Sequence, residues 1–261
     1  MNLAGRRALI TGSTSGIGLG IARVLAEAGC SVMLNGFGEP SQIESLRAEL
    51  HRGSGCESCY DPADLSTAEG CRGLVAHSID KLGGLDIVVN NAGIQYVAPV
   101  EDFPAEQWDR ILAINLSAAF HVIAAAVPAM RTAGWGRIVN VASVHGLVAS
   151  VNKSAYVAAK HGLVGLTKVV ALELAREPIT CNAICPGFVL TPLIERQIEA
   201  KAQELGMPRE VAVRELLKEK QPSMRFTQVE EIGALVVFLC SNAAANITGA
   251  SLPVDGGWTA Q

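Results

Sequence analysis

Short apolar runs alternate along this chain with longer amphipathic stretches, and that alternation restricts the fold more than any other feature. Segments 7–11, 31–35, 85–90, 137–142 and 180–184 are nearly continuous in aliphatic and small residues. Strands of this kind belong to parallel sheets covered on both faces, because a strand with one wet face alternates apolar and polar residues. Between and beyond them, 16–28, 40–51, 67–82, 105–131, 155–176 and 229–241 carry helical patterning. A repeated β-α order specifies an α/β fold of Rossmann type, a doubly wound parallel sheet flanked by helices. The 261 residues, 49% of them hydrophobic, suffice for one domain with a sizeable core. No linker, repeat or low-complexity stretch divides the chain.

Charge and cysteine usage exclude several function classes. A net charge of −4 gives no electrostatic reason to expect a nucleic-acid partner. The N-terminal residues run into the first strand without an apolar targeting segment, and Gly, Lys or Pro interrupt the apolar stretches before membrane-spanning length. The expectation is a soluble, cytoplasmic protein with no membrane partner. Seven cysteines, an odd number, fit reduced thiols. Cys56 and Cys59 form a lone C-x-x-C with no second pair or histidine cluster, so a strand and loop is the expected reading and no metal site is expected. Cys181 and Cys185 read as small buried hydrophobes.

Two motifs carry chemistry. Thr11-Gly12-Ser13-Thr14-Ser15-Gly16-Ile17-Gly18 follows the first strand and opens the first helix. Glycines there permit a tight turn and close backbone approach, so that a diphosphate rests on the helix N-terminus. At the end of the second strand, where an adenosine ribose is read, the chain has Asn35-Gly36-Phe37-Gly38. Neither this segment nor 11–18 holds an Arg or Lys to neutralise a 2′-phosphate, which favours NAD over NADP. The second motif is Tyr156 with Lys160, four residues apart and so on one helix face, preceded by Ser143. A nearby ammonium favours the phenolate and turns a weak acid into a usable acid/base. Ser143 and Tyr156 can both aim donors at a developing alkoxide.

These residues occur in order with Asn90-Asn91-Ala92-Gly93, Asn115 and Pro186-Gly187 followed by Thr191. Together they resemble the short-chain dehydrogenase/reductase family over essentially the whole chain. The resemblance implies that Tyr156 is the general acid/base, that Lys160 lowers its pKa and contacts the nicotinamide ribose, and that Asn115 supports a proton-relay water. It implies cofactor contacts at Gly12, Thr14, Ser15, Gly16, Ile17, Gly18, Asn35, Phe37, Asp64, Leu65, Asn91, Ala92, Gly93, Tyr156, Lys160, Pro186, Gly187, Val189 and Thr191. A turn with a helix cap is the plainer reading of Asp64-Leu65 and of 91–93. A homotetramer is also implied. Two helices that are apolar almost all round, 116–127 and 158–174, support self-association without fixing its number.

Substrate choice rests on the residues around these motifs. Gln95, His145, Lys153 and Gln197 would offer two amides, an imidazole and an ammonium, a set suited to a small carboxylate. Each has a bland alternative: surface amides, a loop histidine, a solvated lysine. The resemblance extends to the branch of the family that interconverts (R)-3-hydroxybutyrate and acetoacetate with NAD, and places Gln95, Ser143, His145, Lys153, Tyr156, Gln197 and Trp258 around the substrate. Phe188 and Leu190 depart from the tryptophan and arginine that many relatives carry there, which leaves the tolerance of longer acids open. Segment 190–224, rich in Glu, Lys, Arg and Gln and broken at Gly206-Met207-Pro208, is expected to form a small helical lid or a solvated hairpin. The alternatives are a reductase of the same scaffold acting on another hydroxy acid, a 3-oxoacyl thioester or a sugar alcohol, and a non-catalytic NAD sensor.

Overall fold

A computed structural model describes residues 2–260; side-chain placement is described for these except Leu193. Seven strands form one parallel sheet: β1 (Arg7–Ile10), β2 (Ser31–Asn35), β3 (Ser58–Asp61), β4 (Ile87–Asn90), β5 (Gly136–Val141), β6 (Ile179–Pro186) and β7 (Ser251–Val254). Their order is β3-β2-β1-β4-β5-β6-β7, with Ile10 opposite Leu34 on one side and Val89 on the other. The chain winds outward from β1 in one direction, then returns to lay β4 on its other flank. A crevice therefore opens beyond the carboxyl ends of β1 and β4, where such folds place ligands.

The strands alternate between two cores. In β1, Ala8 and Ile10 face one cluster and Leu9 the other; in β4, Ile87 and Val89 oppose Val88. This is period-two burial on both faces, the physical reason these segments read as continuous apolar runs. Helices α1 (Gly16–Glu27), α2 (Pro40–Ser54) and α9 (Val229–Cys240) cover the first face, with Ile21, Leu25, Ile232 and Val236 fully buried. Helices α3 (Ala68–Leu82), α5 (Ala118–Ala133) and α6 (Ser154–Glu173) cover the second, through Leu74, Val122 and Val170 among others.

Three features were not in the apolar pattern. Strands β3 and β7 lie outside the five runs; both are sheet edges, partly exposed, and β7 contains Pro253. Edge strands lose the second buried face that makes a strand read as apolar, and they tolerate proline. The expected helix 105–131 is α4 (Ala105–Leu112) and α5 joined by one π turn, Ala113–Ser117, centred on Asn115. Finally, Ala105–Ala133 and Ser154–Glu173 are long and apolar enough to cross a membrane by length and composition, contrary to the expectation that no stretch is. Both pack on the sheet and carry buried Asn115 and Lys160, as core helices do.

Segment 190–224 forms α7 (Pro192–Leu205) and α8 (Arg209–Lys220), parted at Gly206 as its composition suggests. The hairpin leaves and re-enters the body through one stem: Leu190 N donates to Thr227 O at 3.0 Å and Thr227 N to Phe188 O at 3.0 Å. Buried Gln221 fixes that stem, accepting from Phe188 N at 2.9 Å and donating to Arg225 O.

Candidate active site

The β1–α1 loop is shaped for a diphosphate. A Cβ on Gly18 would meet Gly12 O at 2.3 Å and Asn91 Nδ2 at 2.4 Å, so only glycine lets α1 start against the loops. Gly16, at φ +56°, meets nothing nearer than Thr191 Cγ2 at 3.7 Å, which leaves open space over the helix end. Ser15 makes no side-chain cap bond and the first turn of α1 has no acidic residue. Its N–H groups and the positive end of its dipole therefore stay available to an anion. These residues fit a nicotinamide dinucleotide.

Many side chains expected at the cofactor turn out to brace the backbone that would meet it. Asn35, buried, donates to Asp61 O and Ala63 O at 3.1 and 3.0 Å and accepts from Gly12 N at 3.3 Å. Its amide is used up in joining the loop to β3, so the ribose edge is left to Gly36 and to Phe37, 72% exposed. Thr14 holds that edge by donating to Phe37 O at 2.9 Å. Asn91 donates to Thr11 O and Gly12 O, both at 2.9 Å, while Thr11 Oγ1 accepts from the N–H groups of Asn91 and Ala92. Asp64 closes a turn on Ser66 (2.9 Å), Leu65 and Ile17 pack into the cores, and exposed Gly93 lies against Asn115. At the end of β6, Pro186 and buried Val189 flank Gly187, whose missing Cβ makes room for Asp255, and Thr191 caps α7.

Three elements bring the reacting groups together: the turn after β5, the start of α6 and the π turn. Ser143 Oγ accepts from His145 N at 3.2 Å and lies 3.4 Å from His145 Nδ1. The His145 and Tyr156 rings are 5.9 Å apart, edge to face. Lys160, buried one helical turn from Tyr156, donates to Val141 O at 2.8 Å and sits 5.6 Å from the Tyr156 ring centroid. Asn115 is locked by two bonds to Ile94, at 2.8 and 2.9 Å, and lines a cavity of about 10 Å³ with Thr11 and Asn90, room for about one water. The wide turn interrupts the helical ladder there, a feature frequent at functional sites.

The acidities depart from the sequence expectation. Burial pushes the Tyr156 phenol up from its ordinary value, with the Ser143 hydroxyl pulling the other way. Burial also lowers the Lys160 ammonium, to about 8, which still leaves it mostly charged at pH 7. His145 falls to about 4, first through burial and then through the charges of Lys153, Lys220 and His161. It is a neutral ring at pH 7, not an imidazolium, and its Nε2 is engaged by Ser150 Oγ at 2.9 Å. Lys153 is lowered by burial and by Lys220.

The pocket beyond Tyr156 is walled by aromatics. Buried Trp258 stands 5.6 Å from His145 and 5.0 Å from Phe188, and Phe188 stands 6.5 Å from Phe226. Lys153 begins α6 after Asn152, which takes a left-handed φ of +63°. Gln95 is half-buried after β4, while Gln197 is exposed on α7; neither amide makes a hydrogen bond among the described residues. Sequence reading missed two contributors as site residues: Lys220, whose Nζ is 6.0 Å from the Trp258 ring, and the buried chain Asn90–Asn140–Thr167, bonded at 2.9 and 2.8 Å behind the site. Among the described residues no group of three or more His, Cys, Asp or Glu comes together as a metal site, and all seven cysteines are free.

A family model described as Enoyl-(Acyl carrier protein) reductase matches residues 12–259, a span that includes most of the loop and the tyrosine and lysine just placed. The chain belongs to the short-chain dehydrogenase/reductase family. Like its relatives it is an oxidoreductase. D-beta-hydroxybutyrate dehydrogenase of Cupriavidus necator is 55% identical to this family member over 99% of its chain and 100% of the relative's. The protein of that name from Rhizobium meliloti is 52% identical, over 98% and 99%. Among solved structures, L-sorbose reductase from Gluconobacter frateurii, complexed with NADPH and L-sorbose, superposes with a TM-score of 0.95 at 30% identity, covering 100% of this chain and 99% of its own.

Proposed function

We propose that the protein interconverts (R)-3-hydroxybutyrate and acetoacetate with NAD as its hydride carrier, in the cytoplasm and as a homotetramer. The observation that carries the substrate is Lys153: half-buried and close enough to His145 for its charge to act there, it has no carboxylate within 4.0 Å among the described residues. A desolvated ammonium without a partner is costly. A substrate carboxylate would supply that partner at the fixed distance from the reacting carbon that a short hydroxy acid offers. The two relatives above 50% identity bear names of the same activity.

A nicotinamide dinucleotide held by the β1–α1 loop would supply the hydride acceptor for oxidation of the substrate carbon. Tyr156 takes the hydroxyl proton. Ser143, whose oxygen accepts from His145 N and whose hydroxyl favours the Tyr156 phenolate, can turn its hydrogen to the substrate oxygen. Lys160, held by Val141 O beneath the tyrosine, keeps positive charge next to the phenolate as it loses its new proton, and the cavity beside Asn115 suits a relay water. Gln197 joins the pocket only if α7 moves toward it, the role expected of a lid.

NAD is favoured over NADP because the ribose edge, Gly36 and Phe37, carries no cation. Free, mostly buried thiols suit the cytoplasm. Replacing Lys153 by alanine tests the carboxylate role. KM for (R)-3-hydroxybutyrate should rise by about tenfold or more with kcat less affected. An unchanged KM would remove Lys153 from the pocket.

A further inference from the structure

Lys220 ends α8, the second helix of the hairpin, and its ammonium lies 6.0 Å from the Trp258 ring centroid. Trp258 is 5.6 Å from His145, and His145 is 5.9 Å from Tyr156. One cation–ring contact and two aromatic contacts thus connect the hairpin to the acid/base. Lys220 is exposed and, like Lys153, has no carboxylate within 4.0 Å among the described residues. Two acidic residues, Glu219 beside it in sequence and Asp255 near Trp258 in sequence, are engaged elsewhere. Glu219 pairs with Lys201 of α7 at 2.7 Å, and Asp255 accepts from Thr259 N at 2.9 Å and from Gly257 N at 3.0 Å. The next residue, Gln221, is the buried anchor of the stem, so Lys220 sits where the hairpin pivots on the body.

We propose that Lys220 is a specificity-determining residue, forming with Lys153 a two-cation clamp that selects substrates bearing a carboxylate and couples their binding to closure of the α7–α8 hairpin. This inference rests on the carboxylate reading above. One cation comes from the rim of the catalytic helix and the other from the hairpin. Their like charges repel, and both depress His145. A carboxylate placed between them turns repulsion into attraction on both sides. Closure then answers to charge: a neutral alcohol of the same size leaves the repulsion in place. The Lys220 ammonium lies over the Trp258 ring at 6.0 Å, which places the charge beside the ring that also faces His145.

The test compares Lys220→Gln and Lys220→Arg with the wild type on (R)-3-hydroxybutyrate and on its uncharged amide. The wild type should prefer the acid. Lys220→Gln should raise KM for the acid by about three- to tenfold, as expected for an exposed cation, and leave the amide unchanged. Lys220→Arg should restore the preference, and the rise of the acid's KM with ionic strength should be shallower in Lys220→Gln. Equal changes for acid and amide would mean a merely structural role and overturn the proposal. Full retention of the preference in Lys220→Gln would overturn it while leaving the substrate reading intact. A wild type that prefers the amide would overturn both.

Discussion

Burial drives the Tyr156 phenol up from its ordinary 10.0 and the Lys160 ammonium down from 10.5 to about 8, so each group favours its neutral form. The same burial costs stability. The folded pKa of Lys160 lies below its ordinary 10.5, so between about 8 and 10.5 the unfolded chain holds a proton that the folded chain has lost. Stability from this group therefore rises with pH across that window, and the full cost stands below it. At about 1.4 kcal/mol per pKa unit the cost is on the order of 3 kcal/mol, reduced by the bond to Val141 O. Lys160→Met should raise the melting temperature at neutral pH by a few degrees while turnover disappears. A lower melting temperature would mean that the Val141 bond outweighs the burial. Which residues do chemistry was legible from spacing, since Ser143, Tyr156 and Lys160 each hold a position that motif geometry fixes. The bracing roles of Asn35 and Asn91 were not, because their partners lie in loops brought close only by the sheet.

Elements position these residues through joints that local sequence conceals. The π turn at Asn115 lies in Leu112-Ala-Ile-Asn-Leu-Ser117, whose composition is that of an ordinary helix. What widens it is capture of the Asn115 side chain by Ile94, a contact from another segment. Strands β3 and β7 escaped the apolar pattern because a sheet edge does not demand it. Lys220 was hidden in the charged run of α8, which reads as a solvated face. The hairpin stem depends on Gln221, nearly inaccessible at 1% exposure, with bonds to Phe188 and Arg225. Gln221→Ala strands the Phe188 N–H, at a cost of about 1–3 kcal/mol, and frees the pivot. Hydrogen exchange should speed up across 188–227, and KM for the acid should rise while NAD affinity holds. Unaltered exchange there would place the pivot elsewhere.

The whole molecule leaves apolar side chains on the outer surfaces of the two helices that read as apolar all round. Phe120 on α5 is 51% exposed, and Val169 and Leu172 on α6 are 52% and 79% exposed. Exposed apolar groups gathered on neighbouring helices mark a surface that another copy can cover. Leu172→Lys should lower the mass measured by light scattering without altering the circular dichroism, and an unchanged mass would exclude α6 from the interface. The fold itself was readable because five of its seven strands are buried on both faces. Substrate and cofactor together define the activity. The direct measurement is the appearance of NADH absorbance when each enantiomer of 3-hydroxybutyrate is offered with NAD or NADP. The (R) acid with NAD should give by far the highest kcat/KM; activity confined to NADP, or greater on uncharged alcohols than on the acid, would contradict it.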